Sequence, residues 1–451
     1  MDQIVGTLTD HTVSTQWAEF GHDLAIERLP PAIAALAKDR LLDSLATAVA
    51  AHGLPVPTAA MALATAGGPC TIIGEPGGFA PADAAFVNAT LVNGRTQDDF
   101  LDKSHPGAVV VPAALAAAEA LGGKEPVSGQ TLLAAIVVGY EMTSRAYLGG
   151  PRMLPRFRAT GVAGTIGAAA AAARVLGLDR KATVNALGLG AIFACGFGAG
   201  FLTGTMDVKL NVGMAARNGV SAALLARGGA TASPAAFEGP AGYYAAMSNG
   251  TEDVEEAVRG LGEHLAILDT VYKEYPICIF AQTPVALARE LVVARDVKAS
   301  EIDRVQVTVC EATYTNPGFT NVAPFASALN ARVSARFCIA AAFLSRPIDE
   351  FGFYEDFRDP EVLALADRID LTLDPARGDT VDIEVWCGQR RFHTGGSEGE
   401  TLHPTHEKVV AKVRRIVTPS QGARVDALID AVMALDAGGN IATLAAMLRP
   451  A

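Results

Sequence analysis

Residues 93–119 read NGRTQDDFLDKSHPGAVVVPAALAAAE, and the change of texture within them governs how the rest of the chain is understood. Asp98, Asp99, Asp102, Lys103 and His105 fall within eight residues, and an Ala-rich apolar run then begins with Pro106. This is the pattern of a polar turn feeding a buried helix, since proline is tolerated in the first helical turn. Charged groups at the mouth of a buried helix are candidates for chemistry. A plainer reading stays open beside it, with 98–104 a solvated loop, Ser104 the helix N-cap and His105 an ordinary loop histidine.

Upstream, Trp17, Phe20, Leu24 and Ile26 precede the Leu29-Pro30-Pro31 break; Ile33, Leu36, Leu41, Leu42, Leu45 and Val49 then recur at helical spacing as far as His52-Gly53. A short helix over 56–66, a short strand or extended turn over 70–74 and a helix over 81–92 bring the chain to Asn93. Downstream, 129–149 predicts a strong helix whose end carries Tyr140, Glu141 and Arg145, with Glu141 and Arg145 an i, i+4 pair. That trio reads equally well as a core tyrosine beside a surface ion pair.

The stretch 157–179, FRATGVAGTIGAAAAAARVLGLD, places Gly161, Gly164, Gly167 and the alanine run 168–173 on a helix able to pack closely, with Gly177 as its C-cap. Its glycines do not form a GxGxxG after a strand, and no GK[ST] follows, so nucleotide binding is excluded. A helix over 181–200 ends in CGFGAG. A polar loop with Asp207, Lys209 and Asn211 then leads into a helix from Gly213, and Phe237-Glu238-Gly239-Pro240 closes the first helical body.

After about residue 265 the texture changes. VYKEYPICIFAQTPVALARELV predicts a turn and then a helix; 303–309 alternates like a strand, and 381–386 alternates likewise and pairs with 390–394. Helical segments over 331–344 and 360–365 lie between. The fold class is therefore mainly α: a large helical domain from 1–265 and 404–451, with helices over 407–416 and 420–448, and a smaller inserted α+β domain over 266–403.

The formal net charge of −12 over 451 residues argues against nucleic acid as a partner, although a few Arg and Lys can still converge on a small anion. Cys70, Cys195, Cys278, Cys310, Cys338 and Cys387 form no CxxC, and the His403-Pro-Thr-His406 pair has no cysteine near it, so no metal site and no disulfide framework is expected. No stretch reaches the roughly 18 unbroken apolar residues of a membrane span. The first 17 residues lack the basic region and apolar block of a signal peptide, and a soluble, cytoplasmic protein is expected.

Taken in order, LPPAIAALAKDRLLDSLATAVA, DAAFVNATLVNG, HPGAVVVPAALAAAEAL, VVGYEMTSR, TGVAGTIGAAAAAARVLGL, GMAARNGVSAALLARGG with FEG, YKEYPIC and HPTHEKVVAKVRRI resemble the MmgE/PrpD family along nearly the whole chain. That family includes 2-methylcitrate dehydratases, cis-aconitate decarboxylases and iminodisuccinate epimerases. The resemblance implies an all-helical domain built from both chain ends and a smaller α+β lid. It also implies a homodimer that binds polycarboxylates between the domains, without metal or organic cofactor.

For the site, the resemblance points to Asp99 in the family's acidic run, His105 before Pro-Gly, Asp102 at a later acidic position, and Lys209 ahead of the second glycine-bearing helix. It also exposes departures: Lys103 stands where Thr or Ser is usual, and Arg158, Asn211 and Gln282 stand where family histidines are expected. On this reading His105, Asp99, Lys103 and Lys209 are catalytic, with Asp99 orienting His105 or serving as a second carboxylate. Arg158, Gln282, Tyr140, Arg145 and Asp102 bind substrate, and Lys103, if desolvated beside Arg158, acts as a base. Three functions follow in order of expectation: a dehydratase-type lyase on a di- or tricarboxylic acid, an isomerase or epimerase, and a non-catalytic carboxylate-binding protein.

Overall fold

Alternating bulk and small side chains set the spacing of the helices. The computed structural model describes residues 11–122, 127–422 and 424–450, without the side chains of Leu202, Glu400 and Gln421; part of the segment bearing on a signal peptide, residues 1–10, lies outside them. The principal helices of the first part are α1 (Val13–Asp23), α2 (Pro31–Ala51), α3 (Pro81–Gly94), α4 (Pro106–Ala120), α5 (Gly129–Leu148), α6 (Ala159–Val175), α7 (Arg180–Phe193) and α8 (Asp207–Arg227). A short strand, β1 (Ala66–Cys70), lies between α2 and α3. Then come α9 (Ile279–Arg295), β2 (Arg304–Val309), α10 (Ala328–Val333), α11 (Ala335–Phe343), β3 (Ile369–Leu373), β4 (Thr380–Cys387) and β5 (Arg390–Ser397). The chain finishes with α12 (His406–Gln421), α13 (Arg424–Met433) and a last short helix.

Buried apolar side chains fall into two clusters. The larger takes residues between Val13 and Tyr272 and again between Val409 and Leu448; the smaller takes residues between Tyr275 and Leu402. In the larger one α6 is central, packed against α4, α5, α7 and α8. Its glycines permit this. A Cβ on Gly167 would stand 1.9 Å from Thr143 Oγ1 and 2.5 Å from the Gly139 carbonyl oxygen, and one on Gly164 2.9 Å from Val109 Cγ2. Trp17 anchors the far side, edge-on to Phe237 and donating to the Ala257 carbonyl. The chain end joins this cluster because α12 buries Val409, Val413 and Val417 on one stripe against α2. Lys412 is buried with them and pairs with Asp43 at 2.7 Å.

The smaller cluster lines one face of a four-stranded sheet ordered β3-β2-β4-β5, with β2 and β3 parallel and the other neighbours antiparallel. Alternation buries Val305, Val307 and Val309 on β2 and Val381, Ile383 and Val385 on β4, and α9 and α11 pack beside them. Trp386 lies on this sheet between Arg304 and Arg391. The β4–β5 pairing agrees with the sequence reading, whereas β3 is an addition: its five residues are too short to announce themselves.

Several boundaries differ from expectation; the helix expected over 181–200 stops at Phe193, and the one expected over 331–344 is split into α10 and α11. The helix expected over 56–66 stops at residue 60 and tightens to 3-10 geometry by 63, and the strand lies at Ala66–Cys70, before rather than within 70–74. α8 begins at Asp207, so Lys209 and Asn211 lie in its first turns rather than in a loop. The segment expected as a helix over 420–448 breaks at Gly438 and Gly439. Among the described residues, no single helix is long and apolar enough to cross a membrane.

Gly167→Ala is expected to destabilise the fold by about 2 kcal/mol or more, since the new methyl meets backbone as well as a side chain and α6 cannot yield without moving α5. Urea denaturation of the variant against wild type measures this.

Candidate active site

The polar turn is held by its own backbone before any site residue is placed. Leu101 and Ser104 exchange both main-chain hydrogen bonds, at 3.0 and 2.8 Å, which closes a two-residue turn over Asp102 and Lys103. Both sit in the left-handed region, with φ of 45° and 63°. Ser104 spends its hydroxyl on the Leu101 carbonyl and does not cap α4. Asp99 does: its Oδ1 accepts from the Gly107 amide at 3.0 Å, inside the first turn, and its Oδ2 accepts from the Tyr140 hydroxyl. Burial pushes the Asp99 pKa up to about 6, against the pull of Arg40 and Tyr140.

The histidine belongs to the neighbouring carboxylate. His105 Nδ1 lies 2.8 Å from the Asp99 carbonyl oxygen and 3.1 Å from Asp98 Oδ2. Both are acceptors, which assigns the proton to Nδ1 and leaves the Nε2 lone pair free. Burial lowers the His105 pKa to about 4; Asp98 opposes this, and Lys273 and Arg158 add to it. The ring is therefore neutral at pH 7. Burial also opposes the Asp98 charge, but His105, Lys273 and Lys209 outweigh it and hold that carboxyl below its usual range. Asp98 Oδ2 takes a second bond, 2.7 Å from Asn93 Nδ2. Its buried Oδ1 has no hydrogen-bond partner among the described residues.

Cations surround this pair. Arg158 donates to the Val208 carbonyl and, at 3.4 Å, to Asn93 Oδ1, while its buried Nε has no partner among the described residues. Lys209 donates to the Asn93 carbonyl at 2.7 Å and to Thr96 Oγ1 at 2.8 Å. Lys273 reaches the Thr96 carbonyl at 3.4 Å, placed there by the Phe100–Val271 bridge two residues before it. Burial lowers the pKa of both lysines, and Asp98 opposes this in each.

Of the residues to which the resemblance pointed, Arg158 and Lys209 both bond to Asn93, whose amide also bonds Asp98 beside His105. Other expected members are committed elsewhere. Tyr140 serves Asp99. Arg145 pairs with Glu141 at 2.6 Å and donates to the Arg259 carbonyl, so it braces the 257–259 turn. Gln282 accepts from the Glu274 and Tyr275 amides and donates to the Tyr275 carbonyl, closing the 274–277 turn. Asp102 bonds Ser144. Lys103 is exposed, with its ammonium 4.8 Å from the Phe280 ring centroid, so the desolvation beside Arg158 that a basic role needs is not met.

Asn211 donates to the Cys195 carbonyl at 2.9 Å. Sequence reasoning counted Asp98 in the polar turn but gave it no role, and it missed Lys273; the signals available were the first Asp of the QDDF run and the Lys of YKEYP. Among the described residues no group of three or more His, Cys, Asp or Glu side chains is placed to hold a metal ion, and all six cysteines are free.

A helical core joined to a small mixed sheet, with a buried carboxylate paired to a part-buried histidine and cations beside them, defines an α-rich protein built around an anion-compatible polar centre. The chain belongs to the MmgE/PrpD family: the MmgE/PrpD N-terminal domain matches residues 15–256 and the MmgE/PrpD C-terminal domain residues 275–435. It is similar to cis-aconitate decarboxylase of Aspergillus terreus (strain NIH 2624 / FGSC A1156), 26% identical over 97% of this chain and 96% of that protein. It is also similar to cis-aconitate decarboxylase of Homo sapiens, 29% identical over 68% of this chain and 64% of that protein. A third relative is the mouse (Mus musculus) cis-aconitate decarboxylase, 27% identical over 83% of this chain and 78% of that one.

The lowered His105 pKa has a consequence for stability. The folded chain binds fewer protons than the unfolded one between about pH 4 and the ordinary value of 6.5, so stability falls as pH drops through that window. Relative to His105→Gln, the wild type should lose up to about 3 kcal/mol there, read by urea midpoints from pH 7 to pH 4.

Proposed function

We propose that this chain is a lyase acting on a small polycarboxylic acid of the cis-aconitate type, and that it breaks a carbon–carbon bond with release of carbon dioxide. The observation that carries this reading is the set of buried cations, Arg158, Lys209 and Lys273, gathered beside the Asp98–His105 pair. The likeness to cis-aconitate decarboxylases favours C–C over the C–O cleavage that sequence alone had placed first.

The chemistry follows from charge. An unsaturated tricarboxylate is a trianion, and the buried cations favour it because they gain partners that water no longer supplies. Its negative charge raises the His105 pKa, so Nε2 takes up a proton on binding. The C–CO2 bond then breaks, and its electron pair moves through the double bond to a carbon beside a second carboxylate. His105 Nε2 delivers its proton to that carbon and returns to neutral. One proton is consumed per carbon dioxide released, and the cations hold the charge that develops on the remaining carboxylates.

A second reading is favoured by one observation: in the free protein Nε2 is already the unprotonated form that proton abstraction needs, as in dehydration or epimerisation next to a carboxylate. The remaining expectations join the proposal: work without metal or organic cofactor, a homodimer in the cytoplasm, and the α+β part acting as a lid over the helical domain.

Incubation with cis-aconitate, 2-methylcitrate and iminodisuccinate in deuterium oxide, with carbon dioxide measured directly, separates these readings. Carbon dioxide release supports the first, loss of water or exchange without release the second, and no reaction with any acid sinks both. His105→Gln and Asp98→Asn are expected to lower kcat by about 100-fold or more. Lys209→Met should act mainly on KM. Lys103→Met should leave turnover within about twofold, since its ammonium faces Phe280 and not the reacting groups.

A further inference from the structure

The groups placed so far come from the larger core and the segment that follows it. One more cation reaches them from the smaller core. Arg332 lies on α10, whose N-cap Ser327 packs against Gly204, just ahead of α8; a Cβ on Gly204 would stand 2.9 Å from Ser327 Oγ. Lys209 follows five residues later, and after burial, Asp98 and Arg158, Arg332 is a further influence on its pKa, pushing it down. On its other flank the Arg332 carbonyl accepts from the Cys278 amide at 3.2 Å, in the same YKEYPIC segment as Lys273. Arg332 therefore stands where α8 and the Lys273 segment converge.

Its guanidinium has little else to do. It is 7% exposed and stacks over Phe351, with the ring centroid 4.4 Å away. Its Nε and Nη1 are buried without a hydrogen-bond partner among the described residues. Arg95 lies over the same ring at 5.4 Å, but its Nε is bonded to Gln97 and its Nη1 to the Ala50 carbonyl. Glu355 acts on this guanidinium only through its charge, and two buried nitrogens without hydrogen-bond partners are costly in the free protein, a cost that an arriving carboxylate removes.

We propose that Arg332 is a second carboxylate-binding point of this site, contributed by the smaller core, and that it selects tricarboxylic over dicarboxylic acids. Arg158 and Lys209 hold the carboxylates nearest His105, and Arg332 takes the one they leave. The proposal rests on the polycarboxylate reading given above.

Titration calorimetry of the full chain with tricarballylate and with glutarate, which has the same chain of carbons without the middle carboxylate, tests it. Wild type is expected to bind tricarballylate at least about tenfold more tightly, and Arg332→Gln to remove that preference by weakening tricarballylate alone. Equal binding of the two acids by wild type, or equal weakening of both or of neither in the variant, overturns it. Binding of neither acid by wild type overturns the polycarboxylate reading as well, so the two failures are distinct.

A structural role would lower the variant's unfolding midpoint, whereas removing an unpaired buried charge leaves it unchanged or raises it. Should Arg332→Gln not fold, Phe351→Leu decides: it removes the surface that orients the guanidinium and is expected to weaken tricarballylate severalfold and glutarate little. An unchanged preference in that variant overturns the proposal.

Discussion

A carboxylate shut away from water at the start of a helix must find donors, and Asp99 finds two, the Gly107 amide and the Tyr140 hydroxyl. Much of the site's geometry depends on that requirement. The two bonds tie the polar turn to α4 and α5 together, and the tight 101–104 turn leaves the His105 ring no route except back toward 98–99. The Asp99 main-chain oxygen then fixes the imidazole. A Cβ on Gly107 would stand 2.7 Å from both Ser44 Oγ and Tyr140 Oη and 2.8 Å from Asp99 Oδ1, so only glycine lets the helix start come this close. Asp99, expected among the catalytic groups, spends both carboxylate oxygens on these two bonds.

The helical body was legible in the sequence because its cause is local: small residues on α6, apolar spacing on α2 and an apolar run after Pro106. The alternation on β2 and β4 was legible for the same reason. Legibility ended where the decisive fact was three-dimensional. Asp98 and Asp99 are adjacent and chemically identical, and spacing cannot say which of them meets His105 and which meets Tyr140. The polar first turn of α8 read as a loop because Asp207, Lys209 and Asn211 are not core residues, yet the helix starts there and places Lys209 inward. Gln282, Tyr140 and Arg145 were chosen for their chemistry, and the folded chain uses it for Gln282 and Arg145 to hold turns and for Tyr140 to hold Asp99. Lys273 and Arg332 come from more than 160 residues beyond the turn they face, a distance over which pattern carries no information.

The charge balance of the site is opposite to that of the chain. A protein with a formal charge of −12 gathers Arg158, Lys209 and Lys273 around one anionic carboxylate and one neutral imidazole, with Arg332 acting on Lys209 from beyond. Nε of Arg158 and Nε and Nη1 of Arg332 are buried without a hydrogen-bond partner among the described residues. Stability and binding are therefore opposed here. The helix packing around Gly164 and Gly167 and the buried Lys412–Asp43 pair hold together a centre that, left to itself, would repel.

The two tryptophans give this division a spectroscopic form. Trp17 is sealed in the larger core against Phe237, and Trp386 lies on the sheet between two guanidinium groups, so the chain's only indoles report on different cores from different surroundings. Trp17 is expected to emit as in a dry aromatic pocket, and Trp386 as a ring beside charge and water. Removing either one leaves the other as a private signal. Coincidence or separation of the two melting curves then states directly whether the sheet and the helices unfold as one cooperative unit.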